Sequence, residues 1–273
     1  MLYHYPSLSA VDFGLFRTPG AGLGNLLFPI LRAVIGQEVR GGTFVYPTFA
    51  QFKWGPIIRR ERDKRFYTNV ARARRIGEWG DWLRSRFDAP VVGERDAAAA
   101  TLADGVIRYR GLRHYFHDLA PHAALVRRWY AENMRAAPAD DAFDMAVHIR
   151  LGDFVADPAR TGDVNTRTSF DWYRAAIAEG AKRLGVASPR LLVFTDGSFD
   201  EVRDGLGLPG LRFDESVHAA AAISRMAQAP LIVTSRSTFS MWGAFLGDRP
   251  AIWDSSFDYR EFFPHRADLD ISL

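Results

Sequence analysis

Residues 143–153 read Phe-Asp-Met-Ala-Val-His-Ile-Arg-Leu-Gly-Asp, and this segment gives the clearest indication of the fold. Its apolar centre predicts a strand over 143–149, after which the chain turns polar at Arg150 and Asp153. Charged groups at the end of a buried strand need a partner, because burying an unpaired charge is costly. Two interpretations remain open at this point, a ligand site at the strand end and a structural Arg150–Asp153 ion pair.

Strands and helices alternate through the rest of the C-terminal half. Apolar runs predict strands at 191–194, 231–234 and 251–253, the last of these being the final strand. A capping box over 168–171 predicts the start of a helix, and Ser216 is expected to cap another. Such alternation is typical of a parallel sheet covered on both faces, so the predicted fold class is α/β.

The N-terminal half is less regular. A glycine-rich turn at 20–25 precedes an apolar helix pattern, which we expect Gly36 to interrupt. A small, polar, proline-containing segment at 136–141 is typical of a boundary between domains. We therefore predict two domains, 1–138 and 139–273.

Composition excludes several classes of protein. The chain has 273 residues, 48% of them hydrophobic and 25% charged, which is ordinary for a folded globular protein. Cysteine is absent, which excludes disulfides, thiolate metal sites and a cysteine nucleophile. Residues 1–20 lack a signal-peptide pattern, and the apolar stretch at 26–35 is far shorter than a membrane span. We expect a soluble, cytoplasmic protein.

Arginine dominates the basic residues, since only Lys53, Lys64 and Lys182 are lysines among the 35. A basic run at 59–75 holds eight of the positive charges. We interpret this run first as a solvated helix face, second as a contact for an acidic acceptor and third as a nucleic-acid site. Peripheral contact with an anionic membrane is a further interpretation.

Generic catalytic and metal motifs are mostly missing. The chain has no Walker P-loop and no G-x-S-x-G elbow, and Asn25 breaks the G-x-G-x-x-G pattern of dinucleotide-binding domains. His114, His117 and His122 are close in sequence but lack neighbouring cysteine or glutamate ligands. The one D-x-D, at 268–270, is expected to be surface. We predict no metal site.

Two further stretches suit a phosphate ligand. Residues 234–246, Thr-Ser-Arg-Ser-Thr-Phe-Ser-Met-Trp-Gly-Ala-Phe-Leu, read as a strand end, a hydroxyl-rich turn and a helix start. Helix N-termini bind anions, although an ordinary N-cap explains the same residues. Residues 22–28, Gly-Leu-Gly-Asn-Leu-Leu-Phe, place two glycines where backbone could approach a ligand, or where a tight turn is needed.

These stretches together resemble the alpha-1,2-fucosyltransferase family, part of the inverting, GDP-fucose-dependent fucosyltransferase superfamily. Residues 148–153 resemble its H-x-R-R-x-D signature, and 22–28 its G-G-L-G-N-Q-x-F segment. Residues 235–246 are similar to its S-N-S-S-F-S-W-W-G-A-W-L segment. Weaker matches at 194–196 (F-S-D-D) and 109–116 (G-Y-W/F-Q…Y-F) fall in the same order.

The chain departs from the family pattern at six of the positions compared. Leu26 stands for Gln, Leu151 for the second Arg, Arg236 for Asn, Thr238 for the second Ser, Met241 for the first Trp and Gly197 for the second Asp. These departures leave the exact donor and acceptor open.

The resemblance implies a GT-B glycosyltransferase, with two Rossmann-like domains facing a cleft. Domain 139–273 would bind GDP-fucose, and domain 1–138 would supply the acceptor side. The implied reaction is inverting, metal-independent transfer of fucose from GDP-fucose to a hydroxyl of an oligosaccharide or glycolipid, with an alpha-1,2 linkage. The resemblance implies no cofactor and no nucleic-acid partner. The alternatives are another GDP- or nucleotide-sugar donor, or a noncatalytic glycan- or nucleic-acid-binding protein.

The resemblance also implies roles for individual residues. Arg150 would grip the diphosphate, and Asp153 would orient Arg150. His148 and Asp196 would lie near the guanine. Asp157 and Asp163 are candidates for the general base that an inverting displacement needs. The expected donor-binding residues are Gly24, Asn25, His148, Arg150, Asp196, Ser237, Thr238 and Phe239.

Overall fold

A computed structural model describes residues 1–53, 58, 66–87, 90–136, 142–152, 166–216 and 218–273. The chain divides into two units, Met1–Arg135 and Ala136–Leu273. The division falls at the N-terminal edge of the polar segment 136–141. The GT-B arrangement around a cleft, and the roles assigned to domains 1–138 and 139–273, stay predictions.

The N-terminal unit contains a parallel sheet of four strands in the order β2-β1-β4-β3. The strands are β1 (Leu2–Pro6), β2 (Thr43–Phe44), β3 (Val91–Gly93) and β4 (Gly105–Tyr109). All five residues of β1 are buried, including His4, whose ring bonds Tyr109 Oη at 2.8 Å and the Gly41 carbonyl at 2.9 Å. The expectation of an irregular N-terminal half was therefore incomplete, because β1 holds two tyrosines and a histidine and ends in a proline, and so does not read as an apolar run.

Four helices accompany this sheet within the described residues: α1 (Leu23–Arg40), α2 (Ile76–Phe87), α3 (Ala97–Thr101) and α4 (Ala123–Asn133). Helix α1 runs through Gly36, contrary to the sequence expectation. A side chain at that position would collide with Tyr109 and His4, so glycine lets the helix pack closely on the sheet. The helix ends at Gly41, which adopts φ +70° and donates its N–H to the Gln37 carbonyl at 2.8 Å.

The basic run is partly structural. Arg74 donates to the carbonyls of Gly14 and Tyr46 and to the hydroxyl of Thr48, all at 2.9 to 3.0 Å, and lies over the Trp79 ring. Arg72 forms an ion pair with Glu78. The prediction of a solvated face is wrong for both arginines, while residues 59–65 lie outside the described part of the chain.

The C-terminal unit contains a sheet of six strands in the order β10-β9-β8-β5-β6-β7. All the pairings in this sheet are parallel, which confirms the α/β prediction with a parallel sheet. The strands are β5 (Met145–Ile149), β6 (Leu191–Thr195), β7 (Arg212–Phe213), β8 (Leu231–Val233), β9 (Ala251–Trp253) and β10 (Asp270–Ser272). The helices are α5 (Phe170–Leu184), α6 (Phe199–Leu206), α7 (Ala219–Met226) and α8 (Thr238–Gly247).

The core of this unit lies where β5 packs against its neighbours. The side chains of β5 interleave with those of β6, β8, β9 and α5, among them Met145, Val147, Val193, Val233, Ile252 and Tyr173. Ser169 caps α5 by accepting the Trp172 N–H at 3.2 Å. The helix therefore begins within the predicted segment 168–171, but the cap is Ser169 and not Thr168, whose hydroxyl bonds Asp254. Ser216 does not cap α7, because its hydroxyl bonds Asp214 at 2.8 Å and His218 precedes the helix.

The sheet has one strand beyond the predicted last one. Strand β10 pairs in parallel with β9. Its first residue, Asp270, is buried and accepts hydrogen bonds from Trp253 Nε1 at 3.0 Å and Arg266 Nη2 at 2.7 Å. The expectation that the D-x-D at 268–270 is surface was wrong for Asp270, which stabilises the edge of the sheet.

Candidate active site

The order of the strands locates a crevice. The chain leaves β5 through α5 to β6 on one side, and later returns through α7 to β8 on the other side of β5. The direction in which strands are added therefore reverses between β5 and β8. In open parallel sheets, ligands bind outside the carboxyl ends of the strands at such a reversal.

His148 joins the two strand ends that flank this crevice. Its Nδ1 lies 2.7 Å from the hydroxyl oxygen of Ser235, which follows β8. The imidazole also stacks on Phe239, with ring centroids 5.3 Å apart. Burial holds the pKa of His148 far below its ordinary value, so the ring is neutral at neutral pH.

The turn between β8 and α8 is held by its own hydroxyl groups. Ser237 caps α8 and accepts the Phe239 N–H at 3.3 Å. Ser240 accepts the Ser235 N–H at 3.2 Å and donates to the Ser237 carbonyl at 3.1 Å. The first turn of α8 carries no acidic side chain, so the positive end of the helix dipole is not neutralised there. Both interpretations of this stretch fit, an ordinary N-cap and a seat for an anion.

Arg150 follows β5 and pairs with Asp196, which follows the adjacent strand β6. The distance between Arg150 Nη1 and Asp196 Oδ2 is 2.6 Å. The other carboxylate oxygen accepts the N–H groups of Leu151 at 2.9 Å and Gly152 at 3.1 Å. Asp196 thus orients Arg150 and the start of the following loop. The motif resemblance gave this positioning role to Asp153. It gave Asp196 a contact with guanine, which stays a prediction.

Five predicted site residues lie outside the described part of the C-terminal unit. Asp153, Asp157 and Asp163 lie outside the described residues. Gly24 and Asn25 belong to the first turn of α1 in the N-terminal unit. Their expected approach to the donor remains a prediction.

The glycine turn before α1 is anchored within its own unit. Gly20 donates its N–H to Gln51 Oε1 at 3.0 Å, and Lys53 donates to the Gly20 carbonyl at 3.3 Å. Leu23 donates its N–H to the Tyr67 hydroxyl at 2.9 Å. The turn is therefore held in one conformation before any ligand arrives.

Sequence reasoning missed a buried ion pair beneath the hydroxyl turn. Arg236 lies 3.0 Å from Asp254 Oδ2, and the two side chains are 5% and 8% exposed. Asp254 also accepts from the Thr168 hydroxyl at 3.1 Å and from the Ser256 N–H at 3.0 Å. Burial by itself raises the pKa of Asp254, but the hydrogen bonds from Ser256 and the charge of Arg236 outweigh it and lower the pKa. Two features of the sequence indicated this ion pair: Arg236 stands where the fucosyltransferase motif has asparagine, and Asp254 directly follows the last predicted strand.

Acidic and histidine side chains do not gather into a metal centre in the part of the chain that the structure describes. His114, the first of the three neighbouring histidines, bonds Asp118 at 3.1 Å. The prediction of metal-independent chemistry therefore rests on the sequence motifs.

Comparisons with known proteins gave partial structural likenesses. No family model and no curated protein sequence matches the chain. The solved structures include NodZ alpha-1,6-fucosyltransferase co-crystallised with GDP, at 10% identity and TM-score 0.44, covering 85% of this chain and 91% of that chain. POFUT1 in complex with GDP matches at 19% identity and TM-score 0.28, over 38% of this chain and 39% of that one. POFUT1 in complex with GDP-fucose matches at 15% identity and TM-score 0.31, over 70% and 59%.

The chain thus spans less than two thirds of the POFUT1 chains that it matches. With TM-scores below 0.5, these likenesses carry no conclusion about this protein.

Proposed function

We propose that this protein is an inverting, metal-independent glycosyltransferase that moves fucose from GDP-fucose to a hydroxyl of a glycan acceptor. The observation that carries the proposal is the reversal of strand order between β5 and β8. There Arg150 follows one strand, and the N-terminus of α8 follows the other. An arginine held in place by a carboxylate, together with a helix N-terminus that carries no acidic side chain, suits a diphosphate ligand.

The chemistry follows from where charge develops. The bond between fucose C1 and the diphosphate oxygen breaks, and GDP leaves with the electron pair. The acceptor oxygen bonds C1 from the opposite face, which inverts the anomeric configuration. Negative charge grows on the departing diphosphate, where Arg150 and the positive end of the α8 dipole would stabilise it without a metal ion.

The acceptor hydroxyl must lose its proton to a base. His148 is poorly suited to this role, because burial lowers its pKa and Nδ1 bonds the Ser235 hydroxyl. Asp157 and Asp163 are the candidates that the proposal retains. Motif resemblance supports an alpha-1,2 linkage and an oligosaccharide or glycolipid acceptor, and the proposal includes a cytoplasmic location.

The deciding experiment is a donor panel. GDP-fucose, GDP-mannose, UDP-glucose and UDP-galactose are incubated with the protein, with and without glycan acceptors, and release of nucleoside diphosphate is measured in EDTA and in manganese. We expect turnover of GDP-fucose, increased by an acceptor and unchanged by EDTA. Turnover of another nucleotide sugar would assign a different donor. Activity lost in EDTA and restored by manganese would contradict the mechanism. Glycan or nucleic-acid binding without turnover would support a noncatalytic protein.

A further inference from the structure

Helix α2 turns an apolar stripe toward solvent. Ile76 is 93% exposed and Phe87 is 83% exposed, and Leu83 between them is half exposed. Positions i, i+7 and i+11 share one face of a helix, so the three side chains lie on the same side of α2. Surface helices normally direct such a stripe toward the core. Here the core-facing side of α2 is instead formed by Trp82 and the buried Ser85.

A loop that packs against α2 exposes further apolar side chains. Phe13, Leu15 and Phe16 are each at least half exposed. Gly14, in the middle of this loop, lies so close to Trp79 and Trp82 that a Cβ there would stand 3.0 Å from the Trp82 ring. The loop is therefore fixed on α2. We call the combined set the apolar surface; its members are Phe13, Leu15, Phe16, Ile76, Leu83 and Phe87.

Charge around the apolar surface is positive. The segments that carry the apolar surface, 12–17 and 72–87, contain six arginines against three carboxylates. All three carboxylates are paired, Asp12 with Arg86 at 3.3 Å, Glu78 with Arg72 at 2.6 Å and Asp81 with Arg84 at 3.6 Å. Arg84 remains 65% exposed despite this contact.

The excess of positive charge distinguishes between two possible partners of the apolar surface, a second copy of this chain and an anionic membrane. A second copy of this chain would bring like charges together across the interface, which costs free energy. An anionic lipid surface matches both features, because it accepts apolar side chains below its headgroups and attracts arginine at their level. Contiguous exposed apolar patches of this kind mark protein or membrane contacts.

We propose that the apolar surface seats the N-terminal unit on an anionic phospholipid membrane. Ile76, Leu83 and Phe87 enter the acyl boundary together with the phenylalanines of the loop, and Arg84 meets the phosphates. The contact is peripheral: among the described residues, no helix is long and apolar enough to cross a bilayer. The inference goes beyond the proposed function and does not depend on it.

The test is co-sedimentation with vesicles of phosphatidylcholine, alone or mixed with phosphatidylglycerol. We expect binding to the anionic vesicles that weakens with added salt. The double variant Ile76→Gln, Phe87→Gln should reduce the partition coefficient at least about tenfold, since two large apolar side chains no longer leave water. Arg84→Gln should reduce it about fivefold. These variants change exposed positions, and equal melting temperatures will verify that they fold.

Two matched controls separate a local contact from general attraction. Val39→Gln removes a side chain that is 65% exposed on α1, outside the apolar surface, and Arg128→Gln removes an exposed charge on α4. Both should bind vesicles as the wild type does. Equal partitioning of all variants, or no partitioning of the wild type, would overturn the proposal. Self-association that the double variant abolishes, seen by analytical ultracentrifugation, would assign the surface to a second copy instead.

Discussion

Arg150 Nη1 lies 2.6 Å from Asp196 Oδ2, so an arginine at the end of β5 is held by a carboxylate at the end of β6. The same carboxylate fixes the amides of Leu151 and Gly152. The guanidinium is thus oriented before a ligand binds, and groups oriented in advance stabilise developing charge without further reorganisation. The pair belongs to two neighbouring parallel strands, and its geometry depends on their register.

Arg150→Lys should be nearly as damaging as Arg150→Ala. Lysine keeps the charge but loses the planar fork that contacts two phosphate oxygens together. We expect kcat to fall about a hundredfold to a thousandfold in both variants, because the charge on the leaving group develops mainly in the transition state. Steady-state kinetics beside melting curves measure this effect.

The matched control for Arg150 is Arg190→Lys, which changes an exposed arginine paired with Asp144 in the same unit and should retain full turnover. If Arg150 serves only a structural ion pair with Asp196, the lysine variant will keep both its fold and near wild-type turnover. That result would remove Arg150 from the phosphate site.

GDP should stabilise the protein more than UDP, ADP or CDP. The motif resemblance implies that guanine lies beside His148 and Asp196, and a carboxylate accepts the N–H groups of guanine. A ligand at a hundredfold excess over its Kd raises the free energy of unfolding by about 2.7 kcal/mol, which thermal melting detects. Equal shifts with all four nucleotides would be incompatible with a guanine site.

Two variants refine this measurement. Asp196→Asn should reduce the shift most for GDP, whereas Asp200→Asn, an exposed residue paired with Arg203 on α6, should leave it unchanged. If Asp196→Asn reduces the melting-temperature shift equally for all four nucleotides, Asp196 acts only by positioning Arg150.

Stability should decrease in mild acid because of two buried histidines. Burial lowers the pKa of both His4 and His148 below the ordinary value of 6.5. Below pH 6.5 these histidines take up protons in the unfolded chain but not in the folded chain. Their contribution to the free energy of unfolding is therefore fully present above pH 6.5 and decreases as the pH falls. Each histidine contributes a slope of at most about 1.4 kcal/mol per pH unit.

Urea unfolding at about pH 7 and about pH 5 tests this slope. The variant His4→Gln should lose less stability between the two conditions than the wild type, because one proton-binding group has been removed from the unfolded state. His148→Gln should behave alike. Identical pH slopes in all three proteins would show that other groups control the acid response.

Arg74→Gln should destabilise the protein, and Arg75→Gln should not. Arg74 donates to three oxygens and lies 4.4 Å from the centre of a Trp79 ring, whereas Arg75 is exposed. Losing a charged donor to buried acceptors costs about 1.5 to 3 kcal/mol, while a surface change stays within about 0.5 kcal/mol. Denaturant melts compare the two neighbours directly, and equal stability would mean that the Arg74 contacts are energetically neutral.

Strands β5, β6 and β8 were predictable from the sequence because each is buried on both faces and reads as an apolar run. Strand β1 was not, because Leu2 is its one aliphatic residue and it ends in Pro6, and a proline argues against a central strand. The ring of its buried His4 bonds Tyr109 and Gly41. Helix α1 was expected to stop at Gly36 for a similar reason. A glycine reads as a helix breaker in sequence, although here it provides close packing against the sheet.

Two local features of the candidate site were predictable from the amino-acid sequence alone: a strand ending in His148 and Arg150, and a hydroxyl-rich turn that begins a helix. These depend on residues adjacent in the chain, whose periodicity and caps act over a few positions. The partners of the site residues became visible in the folded chain, where Asp196 holds Arg150, Ser235 holds His148 and Asp254 holds Arg236. Those partners follow different strands, and strand order and register bring them together through pairing between distant parts of the chain.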